Sequence, residues 1–574
     1  MLKEYKGLIL DEFQSVAMDA LDKNKNILCC APTGSGKTLL AEYIIEKTIN
    51  NKEGEIIYTA PIKALSNQKY RDFKEIYGKD NVGIITGDVV INPDAPLIMM
   101  TTEIYRNIMY DDPLKLSKIK YVVFDEVHYL EDDRRGTVWE ESLMLSPKNI
   151  RFLCLSATVS NAEQIGNWLT DIRGVETEII FHNVRPVPLK IGFFVKNIGY
   201  FKDKQLFRAI NAAKQSLKQK NKKRGRKEYN ILDYLKSHNY LPALYFCFSR
   251  KMCEVNADRV SSYSLLTKEE SLEARAIFTK FMEDNKLENF KSATDLLDKV
   301  CNGVAYHHAG LLHQLKEAVE ILFSKGLIKV LFATETFALG INMPARTVVF
   351  SSLEKNDGIC FRYLKNYEFQ QMAGRAGRRG IDDEGLVVNM IEPKYCKYEE
   401  IKNTVFGKLE SVSSRFGFSY SSLMNLYERQ DIDEIKELAR LSLASYQRKS
   451  FTTDLDEKIE KLEDELENTS CRTGQGKISS NLKTFRELTN KLQDVKSDID
   501  IAKTKMRKTK DFQKREMNHK SIKDMAFQIK TIKKSLSKNQ CKKCFEGSRC
   551  MFLMDKLVSL QRKKDNLFQQ NLSI

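Results

Sequence analysis

The segment from Asn26 to Thr38, NILCCAPTGSGKT, constrains the fold more than any other part of the chain. A short apolar run, a glycine-rich turn and then LLAEYIIEK with helical periodicity spell a buried strand, a loop and a helix. A loop in that setting wraps phosphate oxygens. The usual pattern starts on glycine, and Ala31 stands there instead. Gly34 and Gly36, with Thr33 and Ser35 beside them, let backbone N–H groups curl inward. The helix N-terminus that follows adds positive potential. Lys37 is spaced to reach β- and γ-phosphates, and the Thr38 hydroxyl to ligate Mg²⁺. A nucleoside-triphosphate site in an α/β fold is expected.

A second segment, KYVVFDEVHYL (residues 120–130), supplies what a phosphate loop lacks. YVVF has the β-branched and aromatic content of a buried parallel strand, and acids follow at its C-terminal end, where open α/β sheets bind ligands. Alone, Asp-Glu after a strand is an ordinary solvated turn. On a strand neighbouring the phosphate loop, Asp125 is expected to hold Mg²⁺ through water, and Glu126 to orient and deprotonate an attacking water.

The 574 residues suffice for two to four domains. With 42% hydrophobic and 30% charged residues the chain reads as globular, and no stretch approaches the apolar length of a membrane span. MLKEYKGLILDEFQ at the start has no apolar signal core, so neither export nor organelle import is expected; the cytoplasm is, with the nucleus as alternative. The net charge of +16 favours a polyanionic partner. Lys and Arg gather in KQKNKKRGRK (218–227) and between Lys503 and Lys543, runs that bind nucleic acid or simply face solvent. Most of the twelve cysteines, such as Cys29, Cys30, Cys154 and Cys247, lie in apolar runs and read as reduced core residues.

QMAGRAGRRGIDDEG (371–385) sets Arg375, Arg378 and Arg379 among glycines that offer no packing surface. A solvated basic loop is one explanation; a ligand is the other.

DEVH (125–128) is a DExH box, and with it the chain resembles a superfamily 2 helicase. Further motifs follow in family order: TAPIKALSNQKY, TGD, TTE, SAT, then ALYFCFSR, VAYHHAGLL and KVLFATETFALGINMPARTVVF. The resemblance implies two tandem RecA-like domains, parallel sheets with flanking helices, facing each other across ATP. It implies that Gln14 reads the adenine edge. Gly340 and Asn342 join Thr33 to Thr38 and Asp125 around the nucleotide. Pro61, Lys63, Ala64, Gly87, Thr101 and Thr102 would lie along a nucleic-acid backbone on the first domain. Ser249, Arg250, His308, Gly310, Thr334 and Thr336 would do so on the second. SAT (156–158) would couple hydrolysis to strand movement. Gln371 would approach the γ-phosphate and the attacking water, and Arg375 and Arg378 would be arginine fingers.

FATETFALGINMPART, SLEKNDG and the glycine–arginine segment resemble the Ski-type, exosome-cofactor branch of RNA helicases. Neighbouring branches carry proline where this chain has Arg379. The branch implies single-stranded RNA as partner, with DNA as the alternative, 3′→5′ movement, and an exonuclease or RNA-decay complex. Expected domains are 1–184, 185–398 with a basic helical insertion at 200–241, a partial winged-helix-like segment at 399–450, and a helical region at 451–574. In that last region two long antiparallel helices are expected around a loop near Cys471 to Gly476, forming a stalk or a coiled coil. CKKCFEGSRC offers Cys541, Cys544 and Cys550 to a structural Zn²⁺, with Cys471 or His519 as a fourth ligand; ordinary thiols are the alternative. Family members continue beyond the point where this sequence stops, so their helical bundle is expected to be absent or supplied by another chain.

Overall fold

The computed structural model describes residues 4–52, 54–196, 198–218, 230–340, 343–358, 360–428, 430–467, 480–508, 512–538 and 547–571. They form two units, Met1–Ala444 and Ser445–Ile574.

The first unit holds two sheets. One has eight strands in the order Thr177–Phe181, Asn26–Cys30, Arg151–Ser156, Ile119–Asp125, Glu55–Ala60, Leu97–Thr101, Val82–Ile85 and Val90–Ile91, all parallel except the last. Helices on both faces explain the apolar runs: every residue from Asn26 to Cys30 and from Leu97 to Thr101 is buried. Trp139 and Trp168 fill the core around this sheet.

The strand ending in Asp125 is not next to the phosphate-loop strand, as its sequence suggested. Arg151–Ser156 lies between them, pairing with both. The SAT residues at its end are thereby wedged between the phosphate loop and the acidic pair.

The second sheet runs Gly199–Lys202, Leu189–Val195, Gly385–Ile391, Thr347–Phe350, Ala243–Phe246, Val330–Ala333 and Val304–His307, with only the first strand antiparallel. The sheets define two lobes. In the insertion, helices Asp203–Lys218 and Ile231–Ser237 pack on the second lobe; the rest of the KQKNKKRGRK run lies outside the described residues.

The chain then returns to the first lobe. After the helix Tyr398–Phe406, Val412 exchanges two hydrogen bonds with the Asn161 side chain, at 2.9 and 3.0 Å. Ser414 donates to Glu140 (2.7 Å), Trp168 Nε1 donates to the Leu441 carbonyl (2.8 Å), and the Leu443 amide donates to Glu140 (2.6 Å). Helices Tyr420–Tyr427 and Ile432–Arg440 lie within this return segment, and no strand forms in it among the described residues.

Glu140 is fully buried, and burial drives its carboxyl up to about 7 although Ser414 and the Leu443 and Ala444 amides donate to it. In an unfolded chain it titrates near ~4.3. The folded form therefore keeps a proton that the unfolded form releases, and stability is lost as pH rises through that interval, by about 1.4 kcal/mol per unit. Glu140→Gln keeps the shape and the acceptor, so it should flatten this loss. Thermal unfolding at pH 5.5 and pH 8 checks it: the gap between the two Tm values should shrink in the variant.

The second unit is helical: Leu443–Glu467, Ser480–Lys508, Phe512–Lys538 and Gly547–Asn571, the first starting at the end of the first unit. The two long helices expected on either side of residues 471–476 are Leu443–Glu467 and Ser480–Lys508, and two more follow them. The run from Lys503 to Lys543 reads as one basic stretch, and its described residues fall on two helices, Ser480–Lys508 and Phe512–Lys538. Val495 and Ile499 pack against Ile532 and Leu536, while Leu462 and Leu466 pack against Leu553, Met554 and Leu557. The loop near Cys471 lies outside the described residues. No described helix is long and apolar enough to cross a membrane.

Candidate active site

A cleft of about 1370 Å³ opens between the lobes, lined by the phosphate loop, Asp125, Glu126 and the Gly374–Ile381 segment. Gly34 (φ +83°) and Gly36 (φ +89°) adopt the left-handed backbone that turns their amides inward. A Cβ on Gly36 would come within 2.8 Å of Gln14 Nε2. Gln14 donates to the Ser35 and Gly36 carbonyls at 3.4 and 3.3 Å, and its Oε1 accepts from the Asp11 amide. It thus ties the start of its own helix, Glu12–Asp22, to the phosphate loop. Phe13 beside it stacks on His182.

Lys37 Nζ donates to the Ala31 and Pro32 carbonyls, at 2.6 and 3.1 Å. Burial pulls its ammonium below its ordinary pKa, with Glu126 and Asp125 opposing. Ser35 Oγ is buried with no hydrogen-bond partner. A loop of inward amides, a half-buried cation and an orphaned hydroxyl fit a polyphosphate. Thr38 and Asp125 offer a hydroxyl and a carboxylate that fit a small, oxygen-preferring Mg²⁺.

Two residues that the motifs did not single out shape this metal position. Tyr58 donates to Asp125 Oδ2 at 2.6 Å, fixing the carboxylate. Lys69, itself buried, donates to Thr38 Oγ1 at 3.3 Å. Asp125 is raised by burial and by Glu126, with Lys69, the Tyr58 hydroxyl and Lys37 acting against both. Glu126 has φ 64° and ψ 48°, a left-handed backbone uncommon for a non-glycine residue. Strain of this kind gathers at working sites.

His128 joins three motifs. The Ala157 amide donates to its Nδ1 at 3.4 Å, and Gln371 lies 3.3 Å from its Nε2. Burial holds the imidazole at about 4, so it is neutral at physiological pH. The contact on the Gln371 side is made by its Nε2, and His128 Nδ1 also lies 3.4 Å from Glu126 Oε2, so the ring touches the acidic pair as well. Gln371 therefore contacts the DExH histidine here, on the path from SAT to the second lobe.

Arg375, also buried, is pulled down by desolvation and supported by Glu126 and Asp125. Its loop is pinned: the Ala345 amide donates to the Arg375 carbonyl (2.9 Å), the Gly377 amide to the Ala345 carbonyl (2.8 Å), and Arg185 to the Gly374 and Ala376 carbonyls. Arg378 instead forks onto Asp382, with two bonds of 2.8 Å. Arg379 crosses the cleft, donating to the Ser35 carbonyl at 3.2 Å and meeting Asp11 at 3.5 Å. Motif spacing favours Arg378, and nothing in it marks Arg379 as the residue that bridges the lobes. Arg379→Ala should raise the KM for ATP about three- to tenfold with little loss of kcat, as expected for one charged hydrogen bond that helps close the site. Steady-state ATPase assays check this; a kcat loss at unchanged KM would contradict it.

The expected nucleic-acid contacts divide by burial. Lys63 and Ala64 are exposed, Lys63 pairing with Asp88 at 2.7 Å over Gly87. Arg250 is exposed at the start of a helix capped by Ser249, and Thr334 and Thr336 hydrogen-bond each other at 2.9 Å. Pro61, Thr101, Thr102 and His308 are buried. His308 accepts from the Gly310 amide and meets Glu254 at 3.1 Å, so it shapes its loop from within. Gly340 ends the helix Glu335–Gly340, and Asn342 lies outside the described residues. Cys541, Cys544 and Cys471 lie outside them too. Cys550 is half-buried against the Leu462–Leu557 cluster, and His519 is exposed. No cluster of potential metal ligands occurs among the described residues.

Two RecA-like lobes with a phosphate loop and acidic pair on one, and arginines on the other, define a helicase core. Residues 11–165 match the DEAD/DEAH box helicase family, and residues 260–380 the helicase conserved C-terminal domain. The chain belongs to the DExH-box helicases of superfamily 2, in their Ski-type branch. It is 37% identical over 520 residues to the DExH-box ATP-dependent RNA helicase DExH9 of Arabidopsis thaliana, covering 85% of this chain and 51% of that protein. It is 39% identical over 459 residues to the human exosome RNA helicase MTR4 (75% and 43%), and 34% over 536 residues to the antiviral helicase SKI2 of Saccharomyces cerevisiae (81% and 41%). The chain spans about half the length of the curated relatives it matches, or less.

Proposed function

We propose that this protein is an Mg²⁺-dependent ATPase that moves along and remodels single-stranded RNA. The observation that carries the reading is the composition of the cleft. Glu126 and Lys37 come from one lobe, and Arg375 and Gln371 from the other, joined through His128. Such a site is complete only when closed, so ATP favours closure and hydrolysis releases it. Charge developing on the γ-phosphoryl oxygens would be met by Arg375, while Glu126 takes the proton of the attacking water. Exposed Lys63, Arg250 and Thr336 supply backbone contacts that carry little sequence information. RNA as the strand, 3′→5′ polarity and work beside a decay nuclease follow from the Ski-type resemblance and from relatives described as RNA and exosome helicases.

The test is steady-state ATP hydrolysis with and without single-stranded RNA or DNA, with Lys37→Ala as the blank. Stimulation by RNA well above DNA is expected. Equal stimulation would move the reading to a DNA helicase. Hydrolysis without strand displacement would make the protein an ATP-gated clamp.

A further inference from the structure

The two units carry charge very differently. Residues 445–574 hold 30 Lys and Arg against 18 Asp and Glu, a net +12 of the chain's +16. Much of that excess falls on the helix Phe512–Lys538. At 100° per residue, Lys520, Lys523, Phe527, Lys530, Lys534 and Lys538 occupy about 80° of arc along about 27 Å of helix. Met525, Ile529, Ile532 and Leu536 hold the opposite face against the helix Ser480–Lys508. All five lysines are exposed, and none has a carboxylate within ion-pair distance among the described residues. Asp524 is the only acid between His519 and Lys538, and it lies at the edge of the stripe.

Phe527 sits mid-stripe, 70% exposed, on a face where no packing explains it. On the helix Gly547–Asn571 Phe552 is likewise 67% exposed, but there Arg549, one turn away, is paired with Glu465 at 3.1 Å, so among the described residues the unpaired cationic track is confined to the helix Phe512–Lys538. A cationic track with an aromatic ring between its charges is how proteins hold single strands, the lysines following phosphates and the ring stacking on a base.

We propose that the Lys520–Lys538 face is a second RNA-binding surface, gripping the phosphate backbone of a single strand with Phe527 stacked on a base. This rests on the RNA reading of the helicase core. It deepens that reading by placing affinity outside the ATP-driven lobes.

The test is anisotropy of a labelled oligouridylate with the full chain, without nucleotide, across a KCl series. In Lys523→Gln/Lys530→Gln/Lys534→Gln the slope of log affinity against log salt should fall by about 2, at ~0.7 per lost phosphate contact. In Phe527→Ala affinity should fall about five- to tenfold with the slope unchanged, because no charge is removed. RNA-free ATP hydrolysis should be wild-type in both, since neither variant touches the cleft. Wild-type affinity and slope in both variants would overturn the proposal and leave the helicase reading standing. If the unaltered chain fails to bind the oligouridylate, both readings fall. Loss of polyglutamate binding with RNA binding intact would overturn it in favour of an acidic protein partner.

Discussion

Glu126→Gln should lower ATP turnover about 10²- to 10⁴-fold, the usual contribution of a positioned general base. Glutamine keeps the shape of the side chain and removes its basicity together with the charge that faces Lys37 and Arg375. The left-handed backbone at this position and the fold should therefore be unaffected. ATP binding should persist, because Lys37, the glycine loop and Gln14 are untouched. The expected state is a closed, ATP-bound protein that releases RNA slowly. Single-turnover hydrolysis and the RNA dissociation rate measure the two halves of this expectation. Wild-type turnover would reassign the base. The nearest other carboxylate, Asp125, is already engaged by the Tyr58 hydroxyl.

Arg375→Ala should cost more, about 10³- to 10⁵-fold in kcat, the range for arginine fingers. Its guanidinium is buried opposite the acidic pair in a loop held by Ala345 and Arg185. It needs no rearrangement to face a γ-phosphoryl group between the lobes. Nucleotide affinity should change little, since the phosphate loop supplies most contacts to bound ATP. Arg378→Ala should lose less, because Arg378 spends its fork on Asp382. Equal losses in kcat for the two variants would show that Arg378 leaves Asp382 during the reaction.

The phosphate loop, the acidic pair and the division into two parallel sheets were legible because each depends on local pattern. A buried parallel strand must be apolar on both faces, and a phosphate loop needs glycine at fixed offsets. Strand order is not local. Nothing in RFLCLS says that it separates NILCC from YVVFD, and that insertion sets SAT between them. Residues acting across the cleft were least legible. Arg379 reads as a spare arginine after the motif, and its role appears only once the lobes meet; Lys69 reads as one more lysine in a helix until that helix packs beside Thr38 within the first lobe. Thr101, Thr102 and His308 are buried, a placement that motif spacing alone does not show. The helical unit was read by composition and helical spacing, which gave its character and its first two helices but not the two that follow.

The return segment has a mechanical consequence. Glu410 accepts from the Asn366 and Tyr367 amides at the start of the helix that carries Gln371, and two residues later Val412 is fastened to Asn161 at the start of the helix behind SAT. Two residues span at most about 7 Å. The polypeptide therefore passes between the lobes once between the strands Thr177–Phe181 and Leu189–Val195, and again, on a much tighter leash, at 410–412. Two bodies joined at two separated points have lost most of their freedom to translate. What survives is rotation about the line through both points, as in a door hung on two pins. Opening and closing of the cleft is thereby steered toward a swing about one axis, set by the chain's own path.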